Sequence, residues 1–257
     1  MEWFHDHLGH NLAIPFALDA HGQWKDVSEV ERGLRCGCLC PCCKGPLVAK
    51  KGEDRVHHFA HHDRRECRHA LESSLFGMAI EILSAAGASL ALPGHILRHE
   101  LTREYGLRLS DKQEAAFFRT PWVIEPARLG MPNGFQIHTQ ALDQSHANQA
   151  DLSAPDHKLA VHFISHRKSL DEVRCSAHAP GWRVLAINLS YYVGLWWDTC
   201  DESKDAKVAK AKAARGQMKK WLGDDVSGRG FIQHPESEEK RSIFRQWAEK
   251  KKRSSKK

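Results

Sequence analysis

The sequence predicts a mixed α/β (α+β) fold, with a small β module in front of it and a basic helical segment behind it. Three features carry that prediction. Apolar residues recur at helical spacing after residue 70 and then cluster in short strand-like runs, in the order helix, several strands, helix, strand. Five of the eight cysteines crowd between Cys36 and Cys43. Residues 201–257 hold 17 Lys/Arg against 9 Asp/Glu, whereas the whole 257-residue chain is only +6.

The first element is a hairpin. Ala13 to Leu18 and Gln23 to Val27 are apolar runs joined by Asp19-Ala20-His21-Gly22, a turn composition. A second hairpin follows the cysteines, with Leu47 to Lys51 and Arg55 to Phe59 flanking Gly52-Glu53-Asp54. The region between is read through its metal-ligand spacing. Cys40-Pro41-Cys42-Cys43 is a C-x2-C pair, and His58-Phe59-Ala60-His61 is an H-x2-H pair, one at each end of the second hairpin. Two such pairs supply the four soft or borderline ligands that Zn²⁺ takes in a tetrahedron, so Cys40, Cys43, His58 and His61 are the expected ligands of a structural zinc ribbon. Cys36, Cys38, Cys42 and Cys67 are alternates, as are His57 and His62, and Cys67 is the main rival to His61.

From Ala70, the residues Leu71, Leu75, Met78, Ala79, Ile82 and Leu83 recur at helical spacing up to a stop at Gly87. Strands are expected near His95 to Leu101, Phe135 to Leu142, Leu159 to Ile164 and Trp182 to Ile187, with a helix from Ser169 to Ala177. A crossover helix between the last two strands implies a mixed sheet flanked by helices. Beyond Trp197, Lys204 to Leu222 is rich in helix formers, and Glu236 to Lys252 sets Ile243, Phe244 and Trp247 on one face. Gly223 to Pro235 reads as the connection between them, and KKKRSSKK at the end as disordered.

Charge and composition bound the function. The first 200 residues are at −2 and the remainder at +8, an electrostatic footprint for nucleic acid, DNA more than RNA. Lys219, Lys220, Lys250, Lys251 and Lys252 are the candidate phosphate contacts, and protein partners remain an alternative use of ribbon and tail. MEWFHDHLGH has neither the basic start nor the apolar run of a signal peptide, and no stretch reaches the roughly twenty apolar residues of a membrane span. A cytoplasmic protein with no membrane partner and with reduced thiols is expected.

The run LAIPFALDAHGQWKDVSEVERGLRCGCLCPCCKGPLVAKKGEDRVHHFAHH, then EC and ALESSLFGMAIEIL, resembles the competence protein CoiA-like family over about residues 11 to 190. The resemblance implies a zinc ribbon joined to a restriction-endonuclease-like, PD-(D/E)xK nuclease core, and divides the chain into 1–69, 70–200 and 201–257. It makes Glu72 the helix carboxylate and Asp151 the carboxylate opening the metal-binding hairpin. In LAVHFISH, His162 stands where an acid is expected and Ile164 where a lysine or glutamine is expected; His166 follows on the same strand. Phe76 and Ile80 replace a His and a Lys of the family helix, and Ala186 and Asn188 replace two acids of a later segment. The expectation is a nucleic-acid-binding accessory of DNA processing with a degenerate centre. Its alternative is an active nuclease using Glu72, Asp151 and His162 with Mg²⁺ or Mn²⁺, and a third reading is a zinc-ribbon protein-interaction module.

Overall fold

Asp19 closes the first hairpin, because its Oδ1 accepts from the backbone N–H of His21 at 2.8 Å and of Gln23 at 2.9 Å. In this computed structural model the strands on either side are β1 (Phe16–Leu18) and β2 (Trp24–Asp26), paired antiparallel. The described residues are 13–52, 56–96, 123–138, 150–165, 168–175, 178–198 and 214–235, with 242, 245, 246, 248 and 249. The second hairpin is β3 (Leu47–Lys50) with β4 (His58–His61), in a register that sets Leu47 opposite His61 and Lys50 opposite His58. Bridges from Ile14 to Phe59 and from Leu18 to Leu39 tie the two hairpins into one module around buried Ile14, Leu47 and Phe59.

Helix α1 (Ala70–Ser84) buries Leu71, Leu75, Met78, Ala79 and Leu83 in the main core, the stripe expected from the spacing. After it, β5 (Ala88–Leu92), β6 (His95–Ile96), β7 (Val123–Ile124) and β8 (Ala127–Met131) form two small antiparallel pairs, β5 with β8 and β6 with β7. The central sheet has the order β13-β12-β11-β10-β9. Its members are β9 (Gln136–Ile137), β10 (Leu152–Ala154), β11 (Leu159–Ile164), β12 (Arg183–Asn188) and β13 (Arg229–Gln233). Strands β11 and β12 run parallel across the crossover helix α2 (Leu170–Cys175), and the other neighbours are antiparallel. Helices α3 (Leu189–Asp198) and α4 (Ala214–Asp224) complete the described helices.

The mixed α/β class is thus the one observed. The expected strand at Leu159 to Ile164 is β11 residue for residue, and β12 lies one residue beyond its expected bounds. The strands expected at His95 to Leu101 and Phe135 to Leu142 are β6 and β9 in part, and their remainders lie outside the described residues. Strands β5 and β8 were not expected, since half the residues of ASLAL and ARLGM are Ala, Ser or Gly, which have weak strand preference.

The expected connection from 223 to 235 contains strand β13. Pairing to the β12 backbone and the half-buried Arg229 hold it there. That guanidinium donates to the carbonyls of Ala91, Trp221 and Leu222 at 2.8 to 3.0 Å and lies 4.9 Å from the Trp221 ring centre. Helix α4 likewise belongs to the folded body, with Met218, Trp221 and Leu222 buried against the core and Lys219 and Lys220 exposed. All of Lys204 to Ala213 and most of Glu236 to Lys257 lie outside the described residues, including Lys250, Lys251 and Lys252.

Several contacts join the N-terminal module to this body. Ser74 Oγ donates to the Phe16 carbonyl at 2.8 Å and accepts from its N–H at 3.1 Å. The Arg215 N–H donates to Asp26 Oδ2 at 2.8 Å while its guanidinium donates to the Trp24 carbonyl at 2.6 Å. The Trp24 ring lies directly over Gly77, in the space that an added Cβ would need.

Candidate metal centre and the polar centre of the core

The knuckle comes first in the chain. Cys40 N–H donates to the Gly45 carbonyl at 2.8 Å and Lys44 N–H to the Cys40 carbonyl at 3.0 Å, a tight loop that requires Lys44 to take a left-handed φ of 58°. This loop brings Cys40 and Cys43 together and turns backbone N–H groups toward their sulfurs, from Cys42 and Cys43 to Cys40 and from Gly45 to Cys43. Such donors stabilise a thiolate and orient it. The β3–β4 register delivers His61 to the same place, since it stands opposite Leu47 at the start of β3. Its Nε2 is 3.2 Å from Cys43 Sγ.

Cys67, six residues past β4, supplies the fourth donor. The ligand atoms of Cys40, Cys43, His61 and Cys67 all lie within 4.8 Å of one another, and this is the one such group among the described residues. His58 lies outside it. Residues 58 and 61 are three apart on a strand, so alternation sends their side chains to opposite faces of β4. The Nδ1 of His58 instead lies 2.7 Å from the Val56 carbonyl. Of the alternates, the Cys36 thiol donates to the Leu47 carbonyl and the Cys38 thiol to the Cys36 carbonyl, each at 3.3 Å. Cys42 neighbours Cys67 but stays outside the group.

Electrostatics favour a cation in this cluster. Burial pushes the Cys40 thiol up to about 11 and moves Cys67 upward as well, so both resist ionising without a metal. At Cys43 burial also acts upward, but the Gly45 N–H, the Cys40 and Cys67 thiols and the Arg65 guanidinium outweigh it and lower the net value. His61 is lowered, first by burial and then by Arg65, against Asp63, and this keeps a ring lone pair available. Three thiols and an imidazole form a donor set suited to Zn²⁺, and these four residues could hold the ion in a closed structural site.

A second polar cluster sits at the open end of the β10–β11 hairpin. Asp151 is 2% exposed and both its carboxylate oxygens are engaged. Oδ1 receives the Lys168 ammonium at 2.8 Å, and Oδ2 accepts the Phe163 N–H at 2.7 Å. Burial raises the Asp151 carboxyl, and Lys168 opposes that shift. His162 is fully buried, its ring 5.2 Å from that of His178. Burial, then the Lys168 and His178 charges, hold its imidazole down at about 3, so it is neutral. Among the described residues neither ring nitrogen of His162 has a hydrogen-bond partner. Glu72 is buried on the first turn of α1, its Oε2 3.8 Å from His69 Nδ1. Glu72, Asp151 and His162 do not form a group of donors within the mutual distance that defines the cysteine cluster.

The parallel register sets His162 beside Ala186 and Ile164 beside Asn188. Phe76 packs edge-on to Phe163 at 5.7 Å, and Ile80 packs against the same core.

Residues 25–70 match the family model of the competence protein CoiA, N-terminal domain. The match supports a CoiA-like assignment. No curated protein and no solved structure matches the chain. The matched segment begins within β2, contains the whole knuckle and includes all four clustered residues.

Cys67 is legible in the sequence as an alternate ligand, but as the rival to His61, whereas strand alternation sets His58 and His61 on opposite faces and makes His58 the one outside the group. Lys168 had no signal. It is one basic residue in the polar run His166 to Ser169, and only the fold returns it to Asp151. His166 itself lies outside the described residues, and no helix of those described is long and apolar enough to cross a membrane.

Proposed function

We propose that this CoiA-like chain is a zinc-stabilised, cytoplasmic nucleic-acid-binding protein whose nuclease-type core is catalytically degenerate, acting as an accessory in DNA processing. The family match and the Cys/His cluster fit a zinc-containing, competence-related protein. The nuclease-type reading is supported by the order of α1, the β10–β11 hairpin opened by Asp151, the crossover α2 and the parallel strand β12.

The observation that carries the degenerate reading is the engagement of both Asp151 oxygens by the chain's own donors. Metal-dependent phosphodiester hydrolysis needs carboxylates that share a divalent ion with water and phosphate. Ile164 and Ala186 add apolar surface where the resemblance implies an amine or amide and an acid. Nucleic-acid binding is supported by the basic balance of residues 201–257 and by exposed Lys219 and Lys220 on α4.

The decisive experiment pairs binding with cleavage. Lys219→Gln/Lys220→Gln, alone and with Lys250, Lys251 and Lys252 also replaced by Gln, should weaken DNA binding and lower its salt slope by about 0.9 for each phosphate no longer neutralised. Plasmid should remain intact with wild type and with Asp151→Ala in Mg²⁺, Mn²⁺ or Zn²⁺. Cleavage by wild type that disappears in both Asp151→Ala and His162→Ala would establish the active nuclease instead. Unchanged affinity and salt slope in the lysine variants would favour the protein-interaction module.

A further inference from the structure

Lys168 is placed by two local devices that leave it little freedom. Its backbone forms a reciprocal bridge with Ser165, Ser165 N–H to Lys168 O at 3.0 Å and Lys168 N–H to Ser165 O at 3.3 Å, which folds the chain back at the end of β11. The next residue, Ser169, caps α2: its Oγ accepts from the Glu172 N–H at 3.2 Å, while the Glu172 carboxylate accepts from the Ser169 N–H. Between the bridge and the cap, the Lys168 side chain runs inward to 7% exposure and ends on Asp151 Oδ1 at 2.8 Å. The carboxylate it meets is 3% exposed.

A buried carboxylate needs a positive partner, and a divalent ion or an ammonium group can fill that role. We propose that Lys168 is a resident counter-ion that takes the place of a divalent cation at Asp151 and closes that position to metal. Three features support this. The ammonium sits on one Asp151 oxygen while the Phe163 N–H holds the other. His162, beside this pair, is a neutral nitrogen donor of the type that suits Mn²⁺, and it is fully buried. The positions opposite His162 and Ile164 on the parallel strand, Ala186 and Asn188, carry no charge that could balance a second cation. The inference rests on the nuclease-type reading of this core and names what has become of its metal position.

The test uses full-length, zinc-loaded protein titrated with Mn²⁺, free Mn²⁺ being read by electron paramagnetic resonance. Lys168→Gln keeps the length and a hydrogen-bond donor while removing the charge. It should bind one Mn²⁺ at least tenfold more tightly than wild type, and Lys168→Gln/Asp151→Asn should lose that gain. Equal Mn²⁺ affinity in wild type and Lys168→Gln would overturn the proposal. So would Asp151-dependent Mn²⁺ binding by wild type together with DNA cleavage lost in Lys168→Gln, which would make Lys168 the amine of an active centre. Should Lys168→Gln not fold, thermal melting decides. A counter-ion requires the Lys168→Gln/Asp151→Asn double variant to melt above either single variant, and a double variant no more stable than the weaker single overturns the assignment. DNA affinity of the same samples reports separately on the underlying reading. Protein that binds no DNA in any form sinks that reading and leaves the Mn²⁺ result standing.

Discussion

The cysteine cluster and the Asp151 centre both gather polar groups in a protein interior, and they solve the resulting electrostatic problem in opposite ways. In the knuckle, Cys40, Cys43, His61 and Cys67 bring four donors into reach of one another, with the Arg65 guanidinium beside Cys43. At the end of β11, one carboxylate meets one ammonium and one backbone N–H, and no oxygen is left over. The cysteine cluster offers four donors that a metal can satisfy together, whereas the buried Asp151 carboxylate already has its charge matched by an ammonium of the same chain.

The largest expected effect breaks or confirms the first half of that contrast. Purified protein should contain about one zinc per chain, and chelation or Cys40→Ala should unfold the N-terminal module, because structural zinc contributes on the order of 10 kcal/mol to small domains. Metal analysis with circular dichroism checks this, and a metal-free protein of unchanged stability would sink the site. Cys67→Ala should lose zinc to a similar degree.

The second half can be probed through pH. His162 is held at about 3 when folded and returns to about 6.5 when unfolded. Between these values the unfolded chain binds more protons, so the stabilising contribution is fully present above pH 6.5 and is lost as pH falls toward 3. The sum is roughly 3 to 5 kcal/mol. Urea unfolding at pH 7 and pH 4.5 should therefore separate wild type from His162→Leu, the variant losing less stability on acidification. The difference between the two proteins cancels proton competition at the zinc ligands, and parallel losses would show that His162 is not buried neutral.

A smaller effect tests whether the two regions are mechanically joined. Gly77→Ala drives a methyl into the Trp24 ring and should cost about 1 to 3 kcal/mol, as overpacking does. Trp24→Ala in the same background should recover part of that loss. The smallest effect distinguishes the two histidines of β4: His58→Ala should retain the full zinc content while His61→Ala does not, as measured by metal analysis after gel filtration. Equal zinc loss in both would return His58 to the ligand set.

The sequence determined by itself whatever depends on local pattern. Strand β11, the buried stripe of α1, the turn at Asp19 to Gly22 and the C-x2-C knuckle follow from spacing and turn chemistry within a few residues, as does the presence of a metal-suited Cys/His region. Tertiary structure decided what depends on residues distant in the chain. β13 is a strand because the edge of β12 offers it partners, although RGFIQ contains a glycine and a half-buried arginine. Helix α4 joins the core because Asp26, some 190 positions earlier, accepts from the Arg215 N–H at its first turn. Lys168 meets Asp151 because a two-residue bridge and a helix cap fold it back across 17 positions. Local preference is set by neighbours within a turn or a pleat, whereas the partner of a buried charge is chosen by whichever segment the packed fold brings within about 3 Å.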